Sequence, residues 1–131
     1  MPSVFSRIIQ GEIPSHRLAE DTSFLAFLDI NPVRAGHTLV IPKSEIDHFF
    51  DLDDELLARA LVFAKPISHA LRQVTGAERV GAVVAGFDVP HAHLHLIPAD
   101  TMADLDFSRA RPARHDDLAR IAAQIRKALG S

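Results

Sequence analysis

The stretch His91-Ala92-His93-Leu94-His95-Leu96-Ile97 alternates imidazole with aliphatic side chains. On an extended strand successive side chains point to opposite faces, so residues two apart share one. The alternation predicts a strand over His91–Ile97 that presents His91, His93 and His95 on one side, about 7 Å between neighbours. Ala92, Leu94 and Leu96 face the other way and belong to a core. A single histidine in such a setting reads most simply as a half-buried, hydrogen-bonded side chain. Three in a row on an apolar strand are costly, because each buried ring needs partners for both nitrogens. Chemistry explains the row better than packing does.

Around this stretch the chain alternates strand and helix signals. Arg79–Ala85 reads as the preceding strand, separated from the histidines by Gly86-Phe87-Asp88-Val89-Pro90. Further upstream, Leu56, Leu57, Ala60, Leu61, Ala64, Ile67, Leu71 and Val74 recur at helical spacing, predicting a long helix over Asp53–Val74 closed by Gly76. Pro66 lies inside it and is expected to kink or break it, at a cost of about 3 kcal/mol. Earlier strands are expected at His16–Glu20, Phe24–Leu28 and His37–Ile41, the last ended by Pro42. Ser3 caps a short helix over Val4–Gln10, with Gly11 at its stop. After Pro98 a polar, irregular stretch runs to Arg114, followed by an amphipathic helix over Asp116–Leu129. The pattern is α+β: about five strands, mostly antiparallel, with one long helix and shorter terminal helices.

Composition sets the frame. The 131 residues are 47% hydrophobic and 24% charged, which fits one soluble domain over 1–131. With no cysteine there is no disulfide, thiol nucleophile or thiolate metal ligand. The formal net charge is −3, and the only tight basic group is Arg109, Arg111 and Arg114, which argues against nucleic acid as a partner. No apolar run is long enough for a signal peptide or a membrane span, so a cytoplasmic protein is expected.

Two chemistries compete for the histidine row. Neutral imidazoles bind metals, but three on one straight strand cannot all reach one ion at about 2.0–2.1 Å. Alternatively, one imidazole is a nucleophile and its neighbours orient it and bind an anion.

The row resembles the alternating His-x-His-x-His signature of the histidine-triad (HIT) nucleotide-binding proteins. Val4-Phe5-Ser6-Arg7-Ile8-Ile9, Gly11-Glu12-Ile13-Pro14, Ala26-Phe27-Leu28-Asp29-Ile30, Gly36 to Lys43 and Ala85 to Pro90 are similar, in order and spacing, to the Hint-like branch. The resemblance covers about residues 4–98, leaving 99–131 as a C-terminal extension. It implies the HIT-like fold and a homodimer. It further implies that His93 attacks the α-phosphorus of a nucleotide to give a covalent nucleotidyl-histidine. His95 then contacts the phosphate, His91 holds the nucleophile's tautomer and His37 completes the network. Asp29 corresponds to the residue that binds the ribose hydroxyls, with Ile30 beside it. The residues agree, since a carboxylate just after an apolar strand can accept two hydrogen bonds from a vicinal diol, although a turn-forming side chain ahead of Asn31-Pro32 is the other reading. Val4, Phe5, Ile8, Ile13, Phe27 and Leu28 correspond to the slot for a purine base, although they are also plain core candidates. Gly86, Phe87 and Asp88 correspond to the loop that reaches the phosphates.

That loop departs from the family pattern, with Phe87 and Asp88 where an amide and a hydroxyl are usual. A carboxylate beside a phosphate is repulsive. No metal or other cofactor is implied. The expected function is a hydrolase or transferase acting on nucleoside phosphoramidates or dinucleoside polyphosphates. The alternative is a nucleotide-binding regulatory module with little turnover, which Phe87 and Asp88 favour.

Overall fold

In the computed structural model, residues 2–130 are described. Five strands, β1 (Arg17–Glu20), β2 (Phe24–Leu28), β3 (Thr38–Pro42), β4 (Arg79–Val83) and β5 (Leu94–Ala99), form one antiparallel sheet in the order β1-β2-β3-β5-β4. Three helices accompany it, α1 (Val4–Ile9), α2 (Asp54–Thr75) and α3 (His115–Ala128). The architecture is the expected α+β arrangement.

Period-two burial divides the sheet's apolar residues between two cores. Phe24, Ala26 and Leu28 of β2, Val40 of β3 and Leu94 and Leu96 of β5 face α2 and α3, where they meet Ala60, Ala64, Ile67, Leu71, Leu118 and Ile125. The opposite faces of β2 and β3, with Leu25, Phe27, Leu39 and Ile41, pack under α1 through Phe5 and Ile8. His95 pairs with Leu39 across β5 and β3, so it stands on the α1 face. The end of the sheet near α1 is therefore where the site is built.

Helix signals act as read. Asp53 caps α2 by accepting from the Leu56 amide, and Gly76 ends it in the left-handed conformation. Pro66 does not break α2, contrary to expectation: the helix runs through it without interruption. Pro66 lies on the solvent side, and Val62, one turn earlier, is 70% exposed, so the carbonyl it leaves unpaired has water for a partner.

The histidine strand is also corrected. The ladder begins at Leu94 and continues through Pro98 to Ala99, so His91 and His93 precede it. Val89 accepts from the His91 amide and Ile46 from the Ala92 amide, which takes residues 91–93 out of register with the sheet. Pro98 is tolerated because β3 pairs with β5 only as far as Leu96, leaving one edge of β5 open beyond it. The irregular segment after β5 holds two 3-10 turns, Met102–Leu105 and Phe107–Arg109. The first lies against β4, where a Cβ on Gly81 would come within 2.5 Å of Leu105 Cδ2. At the start of β3, Gly36 has φ +94° and is hemmed in by Pro98, Thr75 and Leu71, each about 3.2–3.3 Å from where a Cβ would be. A turn that only glycine fits thus sets His37 in place.

Candidate active site

Three histidines meet in the cleft between α1, the sheet and the 107–110 segment. His93 Nδ1 lies 2.7 Å from the His91 carbonyl. Only an N–H can approach that oxygen, so the proton is on Nδ1 and the Nε2 lone pair is free. His37 Nδ1 receives the Val33 amide at 3.1 Å, which puts its proton on Nε2. That Nε2–H donates to His95 Nδ1 at 2.9 Å, leaving His95 with an outward Nε2–H. Backbone groups at both ends of the network thereby assign every tautomer: a nucleophilic nitrogen on His93 beside a donor on His95.

Burial keeps the supporting rings neutral. It lowers the pKa of His37 to about 4. That of His95 falls to about 3, through burial first and then the neighbouring His37 and His93. Asp29, half-buried, is raised above the ordinary carboxyl value by desolvation despite the Asn31 amide that it accepts. Its other oxygen lies 3.6 Å from His37 Nε2. Aromatic rings enclose the imidazoles: Phe5 stands edge-on to His93 at 5.1 Å, and Phe107 edge-on to His95 at 4.7 Å.

His91 is placed differently from the other two. Its Nε2–H donates to the Pro42 carbonyl at 2.8 Å, and its Nδ1 accepts the Ser3 hydroxyl at 2.8 Å. Ser3 in turn caps α1 by accepting the Ser6 amide. The ring of His91 thus fastens the start of α1 to the sheet, and its backbone carbonyl, not its imidazole, holds His93. The expected single row of three imidazoles is split, because residues 91–93 are not strand.

The cleft has a volume of about 410 Å³. Of the residues singled out from sequence, Phe5, Asp29, His37, Asp88, His93 and His95 line it. Ile8 and Phe27 lie in the core behind Phe5, and Val4 is 41% exposed. Ile13 is partly buried against the same core. Leu28 projects to the opposite face of β2 and lines a second cavity of about 280 Å³ beneath α3, which shares Asp29 and His37 with the cleft. Ile30 is 61% exposed and borders a groove with His16 and His115. Gly86 lines a shallow pocket reaching the other side of His93. Phe87, 94% exposed, lines neither. Asn31, Leu39, Val89, Phe107 and Ala110 complete the cleft and had not been singled out. Leu39 follows from strand parity with Ile41; Phe107 and Ala110 carry no comparable signal.

Among the described residues, Asp29, His37 and His95 are the one set whose ligand atoms converge closely enough for a metal ion, within 4.8 Å. The Val33 amide opposes that use. An imidazole ligating through Nε2 carries its proton on Nδ1, where it would face another N–H donor.

Comparison with known proteins identifies the family. The chain is 36% identical to the protein hit of Bacillus subtilis over 98% of its own length and 94% of that protein's. It is 40% identical to the adenosine 5'-monophosphoramidase of Saccharomyces cerevisiae over 72% of this chain and 61% of the yeast protein. A hypothetical histidine triad nucleotide-binding protein of Sulfolobus tokodaii superposes with a TM-score of 0.86 at 26% identity, covering 97% of this chain and 91% of the other. Residues 10–102 match the HIT domain, and the chain belongs to the HIT domain family.

Proposed function

We propose that the protein is a nucleotidyl hydrolase or transferase that works through a covalent nucleotidyl-histidine on His93. The observation that carries this reading is the free Nε2 of His93 in an open cleft, with Nδ1 tied to the His91 carbonyl. That tie turns the lone pair toward a substrate and takes up the positive charge that develops on the ring as it attacks. His93 Nε2 bonds to the α-phosphorus while the bond to the leaving group breaks, the electron pair departing with the leaving group. Water then attacks the phosphorus, releases a nucleoside monophosphate and restores the imidazole.

The neighbouring groups have defined parts in this reading. His95 Nε2–H donates to a phosphoryl oxygen, and His37 keeps His95 in that tautomer. A neutral donor suits this task, since it stabilises developing charge without binding the ground-state anion too firmly. Phe5 and Leu39 supply apolar surface for a base, and Asp29 accepts from a ribose diol. Asp29 also accepts from Asn31 as a turn-forming side chain, so the two assignments made for it are compatible. The name of the yeast relative favours a phosphoramidate of adenosine monophosphate over other adducts.

His93→Ala tests the assignment. Turnover of a nucleoside phosphoramidate is expected to fall by roughly 10³-fold or more, while affinity for the nucleoside monophosphate stays within a few-fold. Unchanged turnover refutes it. A second reading, a binding module with little turnover, is favoured by the carboxylate of Asp88 at the phosphate end. Calorimetric binding of the monophosphate without any turnover by the wild-type protein would establish that reading instead.

A further inference from the structure

Resting on the hydrolase reading above, we propose that the cleft selects nucleoside phosphoramidates whose amine carries a remote ammonium group, and that Asp88 makes the selection. The charges around the cleft carry the argument. Among the described residues two carboxylates line it, Asp29 and Asp88, and no lysine or arginine does. The imidazoles of His37 and His95 add no positive charge near neutral pH, because burial holds them unprotonated.

Several cations outside the cleft are held by acidic partners, among them Arg120 of the adjoining cavity, which pairs with Asp117. Arg34 is held by Asp100 and Asp104, and Arg109 by Asp104. Arg111 donates to the carbonyls of Ser108 and Ala110. Arg7 and Lys43 pair with Glu12 and Glu20. A leaving group built of further phosphates would therefore pass Asp29 and Asp88 without meeting a cationic side chain in the lining of the cleft. An ammonium group would meet the opposite field.

Asp88 is the residue placed to act. It is exposed, has no side-chain partner among the described residues, and its charge is felt by both Asp29 and His95 across the cleft. Asp29 is half-buried, already accepts from the Asn31 amide, and the ribose is its assigned partner. In the reaction, the phosphorus–nitrogen bond breaks as His93 attacks, nitrogen keeps the electron pair and takes a proton from water in the cleft, and the freed amine departs; the water that later hydrolyses the nucleotidyl-histidine returns a proton to solvent. Its remote ammonium group is drawn to Asp88 as this happens.

The test uses three phosphoramidates of one nucleoside whose amines differ only at the far end, bearing an ammonium, a methyl or a carboxylate group, together with a dinucleoside polyphosphate. For the wild-type protein kcat/KM is expected to fall in the order ammonium, methyl, carboxylate, with the polyphosphate below, and a total spread on the order of tenfold or more. Asp88→Asn is expected to bring the three phosphoramidates within about threefold of each other, and Asp88→Ser to do the same with a smaller side chain. Added salt at 1 M should narrow the wild-type spread, since an exposed carboxylate is screened within a Debye length of about 3 Å. A wild-type enzyme indifferent to the far-end charge, or variants that keep the full spread, overturn the selection. Release of amine from none of the compounds is a separate result: it refutes the role of His93 and the inference falls with it.

Discussion

His91 and His95 flank His93 symmetrically in sequence, yet they lie in different surroundings. The segment around His91 is a bend seated on the start of α1, where the ring is locked between Ser3 and the Pro42 carbonyl. The segment around His95 is regular β-strand, and its ring faces the cleft in contact with His37 and Phe107. Two identical side chains, both nearly inaccessible to solvent, are thus a fastening in one case and part of the hydrogen-bonded lining of the cleft in the other. What separates them is the backbone path. Alternation in a sequence names a face only where the chain is strand.

The largest effects should come from substituting each of the two. His95→Ala is expected to cut turnover by roughly 10²-fold, through loss of one donor to the phosphoryl group, while the midpoint of thermal unfolding moves little. His91→Ala should do the reverse. Removing a buried ring with two hydrogen bonds costs about 3 kcal/mol and lowers Tm by several degrees, with turnover at low temperature reduced less than tenfold. Steady-state kinetics and calorimetry on both variants check this. Equal behaviour in the two assays would erase the distinction.

Acid sharpens the same comparison. His37 and His95 have folded-state pKa values of about 4 and about 3, against an ordinary 6.5. The unfolded chain therefore binds protons that the native rings refuse, so stability falls progressively as pH drops below about 6.5, and the decline levels off near pH 4 for His37 and near pH 3 for His95. Each ring adds a slope of up to about 1.4 kcal/mol per pH unit inside that window. Asp29, raised by burial, acts in the opposite sense and reduces the loss. Denaturant midpoints between pH 7 and pH 4 should show the decline, and a flat profile would mean that the pair is not held neutral.

The smallest of these effects concerns Ser3. Ser3→Ala removes both the donor to His91 and the cap of α1, at a cost of about 1–2 kcal/mol. Ser3→Thr should restore most of it. Chemical denaturation reads both, and an alanine variant as stable as the wild type would show that the hydroxyl is not the fastening.

These comparisons also show what was legible in the sequence. β2 and α2 stand out because their signals are local: an apolar run bounded by turns, and a 3.6-residue period with Asp53 and Gly76 at its ends. His37, His93, His95, Asp29, Phe5 and Asp88 share one cleft, and each belongs to a spaced pattern. The apolar slot was harder to read. Phe27 and Leu28 are adjacent on one strand and cannot both serve the same wall, so parity alone removes Leu28. Ile30 and Phe87 look like lining residues by type, yet nothing local records that they point to solvent. Phe107 was illegible for a different reason: it comes from a polar segment without periodicity, and its partner His37 lies 70 residues away. Pro66 misleads because its effect depends on which side of the helix faces water.

The seat of Leu105 on Gly81 has a consequence for how the cleft could be tuned. β4 is an edge strand, and none of its residues lines the cleft. Even so, the missing side chain at position 81 lets the Met102–Leu105 turn lie flat, and two residues later the chain delivers Phe107 to His95. A methyl group added there would meet the Leu105 side chain, two residues before Phe107, so a substitution on this edge strand bears on the segment that closes over His95. A directed search for variants that accept bulkier adducts has a natural starting point at this glycine, since it bears on that segment without touching a reacting atom.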